Sequence, residues 1–533
     1  MAEFENVLLM LALACVLLQV SRRMNVPYPS TLAMAGLAVG ALPWIEPVTI
    51  DPALALALFI APALFDSAYD TAPRELRRNW LPLLSLVLVA VVLTTAVVAW
   101  AGVAIAGLPL AAAITLGAIV APPDAVAAAT VMKPFRLPRR TLSIINGESL
   151  LNDAVALLIF GVATSVGMMA DLQSPAGAAD APADVSRWLH VLPPLAIAVP
   201  GGAALGYALG RAYRWVSPHF AGTRSAIILQ FTATFAAWLF AERLHLSAIL
   251  TIVAFGMTVA RDAPARSSAR DRIHSNAIWD AAVFILNVLA FFLMGLQART
   301  ILLGLSGAEL WESLRFAALV LVLVIAVRLA WVLCYGALVR RFKGGSGGEA
   351  APGPSWRIGV LVGWSGMRGL VTLATSFALP SGFPARDLIV LSAFTVVLGT
   401  LVLQGFTIGP LIRRLRIKPD RSFNAEVAEA RIAMLAAAQR LLDQKSGKAV
   451  DAVREEYGEA TRAAQKARDA DEVALVTVHD SLRLAAIGRQ REVLAQLRQD
   501  GEIEEDAYRH LQEELDLQEL SATDSGQFRL TGF

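Results

Sequence analysis

Gly147-Glu148-Ser149-Leu150-Leu151-Asn152-Asp153-Ala154-Val155-Ala156 sets two carboxylates and an amide inside residues 141–170, a stretch otherwise apolar enough to cross a bilayer. An ionisable side chain at the centre of a membrane helix costs about 2.5 to 3.5 kcal/mol on insertion scales. Side chains retained against that penalty mark function, so the chemistry of the chain is sought here first. Glu148 and Asn152 share a helical face, whereas Asp153 is turned away from Glu148 by about 140°. The spacing predicts separate tasks for the two acids.

Composition agrees with a membrane setting: 56% of residues are hydrophobic, 17% are charged and the mean hydropathy is +0.57, well beyond a soluble domain. A spanning helix needs about 20 mostly apolar residues. Candidates lie near 6–20, 29–46, 52–69, 80–106, 109–132, 141–170, 188–211, 224–241, 246–260, 277–298, 309–339, 356–379 and 387–412. They amount to about 13 spans. From about Ile417 the chain turns polar and rich in Ala, Glu, Arg and Gln, which predicts a membrane domain over residues 1–416 and a separate helical tail over 417–533.

Loop charge gives an independent reading through the positive-inside rule. Alternate loops are basic, for example Arg74, Arg77 and Arg78, then Lys133, Arg136, Arg139 and Arg140, then Arg340, Arg341 and Lys343. The loops between them are nearly bare of Lys and Arg. This alternation predicts an odd number of spans, an N-terminus outside and a cytoplasmic tail. Met1 to Asn6 carries Glu3 and Glu5 and no basic residue, so the first apolar segment is expected to remain in place. The formal net charge of +2 is spread over loops and tail, which points away from nucleic acid. Cys15 and Cys334 lack metal-ligand spacing and read as helix-packing residues.

Two spans are interrupted. In Ile119-Val120-Ala121-Pro122-Pro123-Asp124-Ala125-Val126, consecutive prolines remove backbone donors beside an acid. In Val362-Gly363-Trp364-Ser365-Gly366-Met367-Arg368-Gly369, a glycine-rich break carries a cation. Broken backbone at membrane depth persists only when buried in protein or lining a wet cavity, and paired interruptions point to a midplane binding site. Asp153 and Asp124 could share a small hard cation across two helices. An arginine at this depth needs a carboxylate or many carbonyls, and a Glu148–Arg368 ion pair is expected. Asp66, near the end of the third span, is a further candidate. Desolvation disfavours a charged carboxylate and a bound cation favours it, so protons and cation compete for one site.

At these residues the chain resembles the monovalent cation:proton antiporter-1 family, the sodium/proton exchangers of bacteria and eukaryotes. Asn146-Gly147-Glu148-Ser149-Leu150-Leu151-Asn152-Asp153 matches its asparagine-aspartate helix, and Pro123-Asp124-Ala125-Val126 is similar to its threonine-aspartate-proline break. Leu64-Phe65-Asp66-Ser67, Ala290-Phe291-Phe292-Leu293-Met294-Gly295-Leu296 and Gly363-Trp364-Ser365-Gly366-Met367-Arg368-Gly369 resemble its other signatures, in the same order. The resemblance implies inverted repeats with crossed broken helices, a homodimer in the plasma membrane, and electroneutral exchange of protons for a monovalent cation, sodium first and lithium or potassium as alternatives. It implies that Asp153 is the principal carrier and Asp124 a supporting group. It also implies that Ser149 offers a hydroxyl, Asn152 orients the site, and Glu148 pairs with Arg368. This chain departs from the pattern at Pro123, which supplies a carbonyl but no hydroxyl, and at Asp66, where glutamate is frequent.

No enzymatic role and no cofactor are expected; the expected ligands are the transported cation and protons. A cation channel lined by the same carboxylates is the alternative, and an intramembrane hydrolase using Asp124 and Asp153 is a weaker rival. In the tail, apolar spacing predicts helices over 424–442, 474–497 and 508–520, a turn at Lys445-Ser446-Gly447, and breaks at Gly458, Gly488 and Gly501. The tail has no glycine-rich nucleotide fingerprint. His274 is a candidate pH-sensing residue.

Overall fold

The computed structural model describes residues 28–40, 51–71, 73–124, 137–173, 185–220, 225–266, 269–304, 307–343, 355–380, 382–417, 422–470, 478–500 and 505–522, with isolated positions between 12 and 19, between 128 and 135, and at 223 and 502. Among the described residues every regular element is a helix. The chain divides into two compact units, Met1–Lys418 and Pro419–Phe533.

The first unit begins with α1 (Tyr28–Gly40) and α2 (Pro52–Asp70), the latter started by Asp51, whose side chain accepts from Leu54 N at 3.0 Å. A short α3 (Pro73–Arg78) leads into α4 (Trp80–Ala106), which ends at Gly107 with φ +62°, the left-handed stop that glycine adopts without a Cβ clash. Then come α5 (Leu110–Val120), α6 (Arg139–Gln173), α7 (Val185–Val216), α8 (Ser225–Arg243), α9 (Ala248–Arg266), α10 (Ala269–Gly304) and α11 (Gly307–Lys343). The unit closes with α12 (Trp356–Trp364), α13 (Leu370–Phe377) and α14 (Arg386–Leu415). Among the described residues six helices are long and apolar enough to cross a membrane: Trp80–Ala106, Arg139–Met168, Ser225–Arg243, Arg272–Leu293, Gly307–Arg341 and Arg386–Leu415.

The interrupted candidates are not continuous helices. Residues 109–132 hold α5, which stops at Val120 before the prolines, and residues 356–379 hold α12 and α13 with an unwound segment between them. The candidate at 6–20 and the basic pair Arg22 and Arg23 lie largely outside the described residues.

Two apolar clusters surround α6. Phe160 packs with Val98, Leu116, Ile119, Val320, Val324, Ile389 and Val396 of α4, α5, α11 and α14. Leu150 and Ala154 pack instead with Ile60, Leu64, Phe65, Trp238, Ile252, Phe255 and Ala374 of α2, α8, α9 and α13. Lipid tails are as apolar as leucine, so close packing rather than water exclusion holds such helices together. Trp100, Val103, Trp311, Val322 and Leu403 point outward and are exposed, the kind of surface a bilayer covers. Cys15 and Cys334 are also exposed, not packed between helices as expected.

In α4 the ladder widens to a π-helical turn over Ser85–Ala90. The indole Nε1 of Trp331 on α11 donates to both Ser85 O and Ser85 Oγ at 3.2 Å, which answers a carbonyl that a π turn leaves poorly paired.

The second unit holds α15 (Ser422–Asp443), α16 (Lys448–Ala470), α17 (Val478–Gln499) and α18 (Glu505–Ala522). The expected turn is present at Lys445–Gly447, where Gly447 has φ +134°. Gly458 and Gly488 do not break helices: each lies inside one, with no neighbour within 4 Å of where a side chain would project. Exposed helical glycine costs only about 1 kcal/mol, which flanking residues offset. Gly501 lies outside the described residues. Ile487, Leu494 and Leu515 join α17 to α18, with Arg498 over the Tyr508 ring at 4.4 Å.

Candidate ion-binding site

The two breaks meet. Asp124 N, diverted from its helix by the preceding prolines, donates to Met367 O at 2.6 Å. Pro122 and Pro123 have no N–H, so α5 ends with carbonyls lacking helical donors. Arg368, fully buried, supplies the missing donors: Nε to Val120 O at 3.0 Å, one terminal nitrogen to Ala121 O at 3.1 Å and the other to Gly366 O. Its own N–H donates to Thr400 Oγ1 at 3.0 Å. In return, Asp124 Oδ2 accepts from Leu370 N at 3.4 Å, at the start of α13. A cation thus sits at a helix C-terminus and an anion at a helix N-terminus, each favoured by the local dipole. Glycine is required where these groups cross. A Cβ on Gly369 would overlap the Asp124 carboxylate, and one on Gly366 would overlap the Arg328 side chain.

Glu148 does not pair with Arg368. It binds Arg328 of α11, whose terminal nitrogens reach its two oxygens at 2.5 and 3.0 Å. Arg328 also donates to Val362 O at 3.2 Å, fixing the end of α12. Both side chains are almost fully buried, 4% and 1% exposed. The expected pair fails for a physical reason. The carbonyls freed by the prolines already satisfy Arg368, and a planar bidentate partner for Glu148 is available from α11. Arg328 is a buried ion-pair partner that sequence reasoning passes over. Its signal is present, an arginine midway through the 35-residue apolar helix Gly307–Arg341, and the same penalty argument identifies it.

One turn beyond Glu148, Asn152 is fully buried and neither amide atom has a hydrogen-bond partner among the described residues. Asp153 is buried, 6% exposed, and lies within electrostatic reach of Asp124, which is half-buried on the opposite break. Ser149 is half-buried on the same turn and Pro123 is buried beside Asp124. Asp124, Asp153 and the break are therefore brought together, with Asn152 and Ser149 on the same stretch of α6. Asp66, half-buried on α2, interacts with the charges of Asp70 and Asp280. No group of three or more His, Cys, Asp or Glu with metal-binding geometry occurs among the described residues. The arrangement suits a lightly coordinated monovalent ion: hard oxygen donors, two carboxylates and unwound backbone.

Known proteins share this architecture. The solved structure of the sodium proton antiporter MjNhaP1 from Methanocaldococcus jannaschii at pH 8 superimposes with a TM-score of 0.57 at 16% identity, covering 76% of this chain and 98% of that one. An uncharacterised Na+/H+ exchanger of Mycobacterium bovis is 29% identical over 527 residues, covering 94% of this chain and 93% of the relative. The Na+/H+ antiporter NhaG of Bacillus atrophaeus is 24% identical over 437 residues, covering 80% and 78%. A family model described as "Sodium/hydrogen exchanger, transmembrane" matches residues 9–414. That match runs through both breaks, the acidic helix and every helix between them, and the chain belongs to the transmembrane sodium/hydrogen exchanger family.

Proposed function

We propose that this protein exchanges protons for a monovalent cation, most readily Na+ and with Li+ or K+ as alternatives, by alternating exposure of a single carboxylate site. Asp153 is the carrier that holds either the cation or a proton, Asp124 shares its charge, Ser149 adds a hydroxyl and Asn152 orients the pair. Asp66 belongs to the group with Asp70 and Asp280, whose like charge raises the local cation concentration. The observation that carries this reading is the burial of Asp153 within electrostatic reach of Asp124, where two broken helices cap one another. One negative site that admits one cation or neutralising protons, but not both, couples the two flows without further machinery.

About 13 spans in inverted repeats, as the hydropathy and loop charges suggest, would set the N-terminus outside and the tail in the cytoplasm. A homodimer in the plasma membrane and electroneutral turnover complete the proposal. Family membership argues against the channel reading. The test is a pH-sensitive dye in everted vesicles, with Na+, Li+ and K+ added separately and the membrane potential clamped. Cation-driven dequenching supports exchange, a rate that the clamp leaves unchanged supports electroneutral turnover, and cation current without proton movement refutes the exchange reading.

A further inference from the structure

Thr372 is 1% exposed, and its hydroxyl has no hydrogen-bond partner among the described residues. A buried threonine in a helix ordinarily donates to a carbonyl one turn back, as Thr375 does to Val371 O at 2.6 Å. For Thr372 the residue four back is Arg368, in the unwound segment before α13 begins, and the Gly369 carbonyl already accepts from Leu373 N at 3.3 Å. The break that creates the site also removes this hydroxyl's helical acceptor.

Its placement is equally specific. The Asp124 carboxylate occupies the space into which a Cβ on Gly369 would project. Thr372 is the third residue of α13 after its Gly369 N-cap, the position whose side chain reaches back toward the cap, where Asp124 Oδ2 accepts from Leu370 N. Other sides of α13 are taken by apolar packing: Leu370 against Phe59 and Ala290, and Val371 and Ala374 with Ile60, Leu64 and Leu150. Pro123, on the facing break, offers neither a hydroxyl nor an N–H.

We infer that Thr372 is a specificity-determining ligand of the cation site, its hydroxyl oxygen joining the Asp124 and Asp153 carboxylates around a small, partly dehydrated monovalent cation. A buried hydroxyl replaces one water of the ion's shell and fixes how closely the carboxylates can approach. Na+ and Li+ therefore depend on it more than K+ does. This rests on the exchange reading for what is moved, and only on the carboxylate site for what is bound.

The test uses the purified full-length protein, with NaCl, LiCl and KCl each titrated against choline chloride at constant ionic strength and cation-induced thermal stabilisation as the readout. The same preparations are assayed for proton-coupled uptake in proteoliposomes. Thr372→Val, which keeps the shape and removes the hydroxyl, is expected to raise the half-saturating Na+ and Li+ concentrations about ten-fold, with a smaller change for K+. Thr372→Ser is expected to stay within about two-fold of wild type. An unchanged half-saturation in the valine variant, or equal weakening for all three cations, overturns the inference. Should the valine variant not fold, Thr372→Ala against Thr372→Ser gives the same comparison. A wild type whose stability does not respond to any cation also overturns it. A wild type that binds cations but moves no protons refutes the exchange reading and leaves the Thr372 assignment standing.

Discussion

Glu148 and Asp153 lie little more than one turn apart on α6, both almost wholly buried, yet their surroundings differ in kind. Glu148 is closed: both oxygens are held by Arg328, and Arg328 is tied in turn to Val362 O. The group around Asp153 is open. Among the described residues Asn152 has two unpartnered amide atoms, and the nearby Asp124 adds a like charge; the inferred ligand Thr372 likewise has an unpartnered hydroxyl. Burying polar groups unpaired costs about 1 to 3 kcal/mol each, a cost that a ligand bound beside them would offset. The closed pair ties three helices together; the open group is the one assigned to the ion in the proposed exchange.

Removing one member of the closed pair tests this contrast with the largest expected effect. Glu148→Gln leaves Arg328 charged and buried, and thermal unfolding of the full-length protein should show a loss of about 3 to 5 kcal/mol. The double variant Glu148→Gln with Arg328→Gln should recover part of that loss. Strict additivity would mean that the two side chains do not act as a pair. Gly369→Ala comes next, because its Cβ would overlap the Asp124 carboxylate. A loss of about 1 to 3 kcal/mol is expected, together with exchange activity, since the cap on α13 and the site share that carboxylate. Wild-type transport in this variant would separate the break from the site.

The open group predicts the opposite balance. Asn152→Leu removes an amide that has no hydrogen-bond partner among the described residues, so unfolding should show unchanged or slightly higher stability while exchange falls at least about ten-fold. Clear destabilisation would place Asn152 with the structural groups. The smallest effect belongs to the tail, where Arg491 meets Asp516 and Glu519 at 2.5 and 2.6 Å on an exposed surface. Those two hydrogen bonds hold its guanidinium above the usual arginine range. A raised value means that the contact is intact below the ordinary arginine pKa and lost only above it, so stability should not change between roughly pH 7 and 9 from this source. Arg491→Gln should cost less than about 1 kcal/mol, read as faster amide exchange in α17 and α18 of the intact protein.

Much of this was legible in the sequence because a membrane makes polar residues conspicuous. The acidic helix and both breaks follow from that one penalty, and six of the expected apolar segments are helices long enough to cross a membrane. Pairing was not legible. Which arginine faces Glu148 depends on which helix crosses α6 at that depth, and sequence spacing carries no such information between helices. Arg328 itself was visible but sat in an unbroken apolar run, away from the interruptions that draw attention. The π turn at Ser85–Ala90 leaves no trace in its mostly apolar residues, and the indole that bonds to it, Trp331, lies on another helix. Nor did the tail glycines reveal themselves as helical, because helix α16 is organised by its amphipathic face and passes through Gly458.

The central claim is that Asp153 alternates between cation and proton. Everted vesicles containing wild type or Asp153→Asn, matched for the amount of folded protein, test it directly through dye dequenching on addition of Na+, Li+ or K+. The account predicts robust dequenching in wild type and none above background in Asp153→Asn for any cation. Cation-driven proton movement that persists in Asp153→Asn would contradict it.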